Sequence, residues 1–67
     1  MSVSMTIIVD LYNGEQLTLK NVNARLIQEI ETIIENEECF QLEIRNMDTP
    51  KKSIEFYLSD LKEIRFE

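Results

Sequence analysis

Sixty-seven residues, with thirteen carboxylates against seven lysines and arginines, carry a net charge of −6, and histidine is absent. A chain this short allows one domain, whose core covers only about 60% of the unfolded surface. The lone cysteine, Cys39, excludes an internal disulfide and no Cys/His set exists for zinc, while the negative charge opposes attraction to phosphate backbones or anionic lipid.

A hydrophobic fraction of 43% with 30% charged residues fits a folded chain rather than a disordered one. Met1 to Leu11 lacks a basic leader and its apolar run breaks at Asp10, so no signal peptide is expected. Met1 and Met5 both fit as the start. No stretch approaches the roughly 20 apolar residues that span a bilayer, and a cytoplasmic location is expected.

The first strand is expected from Met5 to Tyr12, with Met5, Ile7, Val9 and Leu11 on one face. Asn13-Gly14 signals a reversal into a second strand, Gln16 to Lys20. Register decides the loop length. A two-residue loop would set Val9 against Thr18, mixing the faces, whereas a loop of Tyr12, Asn13 and Gly14 sets Val9 against Leu17 and Ile7 against Leu19. The three-residue loop is therefore expected, with Gly14 left-handed at a bulge.

Asn21 and Asn23 are candidate caps for a helix from Ala24 to Asn36. Leu26, Ile27, Ile30, Ile33 and Ile34 fall within an arc of about 120°, and Glu37 would rotate back into that stripe, so the helix should end near Asn36. In the next strand Phe40, Leu42 and Ile44 are expected inward, against Cys39, Gln41, Glu43 and Arg45. Asn46 to Lys52, with the only proline and two lysines, reads as a surface loop. Ile54, Phe56 and Leu58 form the inward side of a fourth strand. A 3₁₀-type turn within Ser59 to Glu63 tucks Leu61 inward, before a brief strand of Ile64 and Phe66. Pairing Leu58 with Ile64 and Phe56 with Phe66 keeps these apolar groups together. The expected fold is α+β: one antiparallel or mixed sheet of four to five strands, β-β-α-β-β with a short fifth, and one amphipathic helix on one face.

Little here supports catalysis. Cys39 stands beside Glu37 and Glu38, which discourage the thiolate, and no histidine can serve as its base. Asp10/Glu15 and Glu37/Glu38 are better explained as solvated positions at a turn and a helix end. No calcium loop occurs, and a single glycine cannot build a phosphate loop. No catalytic residue, cofactor or metal is expected.

Two surfaces remain as interaction candidates. Five carboxylates, Glu29, Glu31, Glu35, Glu37 and Glu38, lie on or just past the helix. A solvated helix back explains them best; as a docking face, Glu31, Glu35 and Glu38 would engage a basic partner. The uncovered sheet face is expected to carry Ile8, Tyr12, Thr18, Gln41, Glu43, Tyr57 and Arg65, with Ile8, Tyr12 and Tyr57 as its apolar contacts.

Val9-Asp10-Leu11-Tyr12-Asn13-Gly14-Glu15-Gln16-Leu17 resembles the opening strand–turn–strand of Sm-like RNA-binding proteins. The long helix and the lack of a later Arg-Gly motif depart from that family, and no RNA-contact residues carry over. Leu19 to Asn23 and Ile54 to Ile64 are similar to small uncharacterised β-β-α-β-β proteins of Gram-positive bacteria, phages and mobile elements. That resemblance implies a setting, not an activity. The function expected is a small non-enzymatic protein-interaction or regulatory module, with a protein partner or a homodimer. One alternative is an acidic inhibitor or DNA mimic that docks on a basic nucleic-acid-binding protein. Another is single-stranded RNA binding through the open sheet face.

Overall fold

In chain order the elements are β1 (Ser4–Leu11), β2 (Gln16–Asn23), α1 (Arg25–Asn36), β3 (Gln41–Arg45), β4 (Ser53–Tyr57) and β5 (Leu61–Phe66). A 3₁₀ turn at Leu58–Asp60 precedes the last strand. These belong to a computed structural model that describes residues 4–48 and 52–67. The alternative start at Met1 and the proline-bearing middle of the expected 46–52 loop lie outside the described residues.

β1 and β2 form the antiparallel hairpin that the register argument demands, with Val9 opposite Leu17 and Ile7 opposite Leu19. The Leu11 N–H donates to the Glu15 carbonyl at 2.9 Å, closing a loop of Tyr12, Asn13 and Gly14. Gly14 has φ +90°, which a side chain would strain, and the Asn13 side chain accepts the Glu15 N–H at 2.9 Å.

β2 continues past Lys20 because of a bulge. Leu19 faces Ile7 and Val22 faces Met5, so two β2 residues, Lys20 and Asn21, oppose Thr6 alone. Asn21 takes φ 57° there, a conformation asparagine tolerates better than most residues. It is therefore not a helix cap. Its carboxamide donates to Asp48, and its carbonyl accepts the Met47 N–H at 2.9 Å. Asn23 does serve the helix start, its Oδ1 accepting the Arg25 N–H at 2.9 Å.

The expected β4–β5 pairing does not form. β5 pairs antiparallel with β1, setting Val9 against Ile64 and Ile7 against Phe66, while β4 pairs with β3. The 3₁₀ turn begins at Leu58 itself, so the residue that would start a returning hairpin instead turns a corner. The Tyr12 N–H donates to the Asp60 carbonyl at 2.9 Å and fixes that corner to the first hairpin. Five strands thus make two antiparallel sheets, β2-β1-β5 and β3-β4, in place of one.

The inward faces of both sheets share one core. Ile7, Val9, Leu11, Leu19 and Val22 come from the first sheet, Leu42, Ile44 and Phe56 from the second, and Ile30 from α1. Ile27, Ile33 and Ile34 pack against this cluster, whereas Leu26, at the margin of the helical stripe, is exposed. The helix is not layered over one face of a single sheet. It comes nearest to β2, and its Leu26, Glu29, Ile30 and Ile33 share a crevice of about 160 Å³ with Leu42 to Arg45 of β3. It is also too short and polar to cross a membrane.

Ile7 is fully buried, at 0% exposure. Ile7→Ala should lower stability by about 3 kcal/mol, whereas Leu26→Ala at the exposed margin should cost less than about 1 kcal/mol. Urea unfolding followed by circular dichroism measures both, and equal losses would contradict this arrangement of the core.

Candidate functional site

The site is assembled where α1 ends, at the Gln41–Tyr57 end of the β3–β4 pair. α1 stops at Glu37, which adopts φ 52° and ψ 44° in the left-handed region. The Glu38 N–H donates to the Ile33 carbonyl at 3.1 Å and the Glu37 N–H to Ile34 at 3.3 Å, the paired bonds of a Schellman ending. Glycine normally fills this position. With glutamate there, the backbone is strained and a carboxylate stands at the turn.

Glu38, Cys39 and Phe40 lead into β3. Phe40, expected inward with Leu42 and Ile44, is instead 92% exposed. Its carbonyl still accepts the Leu58 N–H at 2.9 Å, so its backbone closes the hairpin although its ring leaves the core. At this level the opposing chain enters the 3₁₀ corner. The smaller Cys39, expected outward, is the half-buried group that packs on the core.

Tyr57 projects outward from β4 opposite Gln41 and is 55% exposed. Glu37, Cys39, Phe40, Tyr57, Leu58 and Ser59 line a shared hollow of about 350 Å³. Sequence reasoning found Tyr57 but missed Phe40 and Glu37. The one available signal was the four-residue passage, Glu37 to Phe40, between the helix end and the strand, which is free to rotate Phe40 out of the strand alternation.

The other sequence candidates lie elsewhere. Ile8 is half-buried on the outer face of the first sheet, between Thr18 and Arg65. Next to it, Asp10 accepts from Gln16 at 2.9 Å and pairs with Arg65 at 3.2 Å, a polar link across all three strands. Tyr12 is 71% exposed in the hairpin loop. The expected common face of Ile8, Tyr12 and Tyr57 is therefore divided between two sheets, because β5 joined β1 rather than β4. Glu31, Glu35 and Glu38 are all exposed. Glu29 and Glu38 border a shallow depression with Gln28, Thr32 and Ile33.

On the outer face of β3–β4, Glu43 and Glu55 stand directly opposite one another. The Arg45 guanidinium, 2.9 Å from Glu43, holds that carboxyl below its ordinary value, helped by a hydrogen bond shared with Glu55. Glu55 is pushed up, first by that shared hydrogen bond and then by the Glu43 charge. Among the described residues, no three His, Cys, Asp or Glu side chains group as a metal site. Comparison with protein-family models, curated proteins and solved structures yields no match.

Two outcomes test this geometry. Glu37→Gly should raise stability by about 1 kcal/mol in urea unfolding, since glycine occupies the left-handed region freely. In the second test, the folded chain holds the Glu55 proton more tightly than the unfolded chain does. That contribution favours the fold below the ordinary carboxylate range and is lost as pH rises through the raised value. Glu43 runs the other way: its contribution is present above the ordinary range and is lost as pH falls through its lowered value. Glu55→Gln imitates the protonated state. It should melt slightly above the native chain at about pH 7 and converge with it on acidification to about pH 4. Thermal melts at the two pH values check this, and a constant gap would contradict it.

Proposed function

We propose that this chain is a small, non-enzymatic, cytoplasmic protein-contact module whose working surface is the end of the β3–β4 hairpin. The observation that carries this reading is Phe40, with 92% of its surface exposed on a chain too small to waste core residues. Burying such a ring contributes about 2 kcal/mol, and aromatic anchors with neighbouring apolar walls dominate protein contacts. Tyr57, Leu58 and Cys39 supply those walls.

Binding rather than catalysis is also what the chemistry favours. The only thiol has no histidine in the chain to serve as its base, and the perturbed pair among the described residues, Glu43 and Glu55, is exposed to solvent. The RNA reading has less support, because the expected aromatic platform is split between two sheets. The acidic-inhibitor reading keeps the net charge of −6 and the exposure of Glu31, Glu35 and Glu38 in its favour, but it gives no role to the exposed Phe40.

Phe40→Ser should leave circular dichroism unchanged and stability within about 0.5 kcal/mol, because the ring makes little contact with the core. It should abolish association, read as dimer mass by sedimentation velocity or as partner recovery on an immobilised bait. Native and Phe40→Ser baits that recover the same proteins, together with an unchanged monomer mass, would refute the assignment.

A further inference from the structure

The hollow beneath Phe40 and Tyr57 has a definite chemical preference. Its walls are two aromatic rings, Leu58 and Cys39, and its one ionisable carboxylate is Glu37. Among the described residues, no lysine or arginine lines it. Along the outward face of the hairpin, Glu55 follows two positions from Tyr57 on the same strand, with Glu43 opposite. The nearest cation on that face, Arg45, is already engaged by Glu43 at 2.9 Å. The hollow therefore combines aromatic rings with the Glu37 carboxylate and has no cation among its described lining residues.

Ring faces attract cations, and a planar guanidinium can stack on a ring while donating to a carboxylate. A second copy of this chain is a poor occupant, because it would bring another net charge of −6 and a second pair of opposed glutamates. Resting on the protein-contact reading, we propose that the hollow receives an arginine side chain from a basic segment of a partner protein. Its guanidinium lies against Phe40 and Tyr57 and pairs with Glu37.

The test is a titration of the full ¹⁵N-labelled chain with the peptide acetyl-Gly-Arg-Gly-Arg-Gly-Arg-Gly-amide. Glutamate-for-arginine and lysine-for-arginine versions of that peptide, and oligouridine, form parallel arms. Saturable amide shifts confined to residues 37–41 and 56–59 are expected with the arginine peptide. Binding should weaken with lysine and vanish with glutamate. Phe40→Ser and Glu37→Gln should each weaken the arginine peptide about tenfold. Three results overturn the proposal: no shifts, shifts spread equally over Glu31 and Glu35, or oligouridine taking the hollow instead. If the arginine peptide fails while Phe40→Ser still loses its partner or dimer, the contact surface stands and only its arginine chemistry falls. If both fail, the contact surface falls as well.

Discussion

Ile7 and Val9 are completely buried on the inner face of β1, which, alone among the described strands, has a hydrogen-bonded neighbour on each side. Its inner row of Ile7, Val9 and Leu11 must be matched along two edges at once. Each flanking strand achieves this with one extra residue, β2 near Asn21 and β5 at Lys62. Leu19 with Val22, and Leu61 with Ile64, stand three apart yet point into the same core. Bulges also increase local twist, which helps a three-stranded sheet curl around a small interior.

The second sheet is left with two strands as a result. Its inner residues Leu42, Ile44 and Phe56 are spent on the shared core, and its outer residues are all exposed. A two-stranded ribbon is marginal unless it packs on something else, so the hairpin depends on β2 and the shared core for its position. Where the hairpin ends and the core narrows, Phe40 is left outside. The exposed aromatic surface is thus a consequence of how the core closes, and the strained turn at Glu37 places a carboxylate beside it.

Much of the fold was legible because side-chain parity carries real information. The loop of Tyr12, Asn13 and Gly14 followed from keeping Val9 and Ile7 opposite leucines, and the helix end followed from Glu37 entering the apolar stripe. Parity cannot say which partner a strand takes. Phe56 with Phe66 and Ile7 with Phe66 both keep apolar groups together, and only the corner at Leu58 separates the alternatives. Parity also fails at bulges, where three-residue spacing hides a strand continuing through Val22 or starting at Leu61. Phe40 was misplaced because alternation was carried back through a connection that is not yet strand.

The pairing of β1 with β5 joins the two ends of the described chain, whereas β1 with β2 closes over a three-residue loop. Loop-closure entropy makes the first hairpin the cheap early event and the β5 contact a late one. Until β5 arrives, one edge of β1 stays open alongside Ile7 and Val9, in the condition that invites mispairing with other chains. In chain order β5 follows every other described strand. The vulnerable period is therefore the interval between closure of the first hairpin and the docking of β5, and a chain whose β5 cannot pair would never leave it.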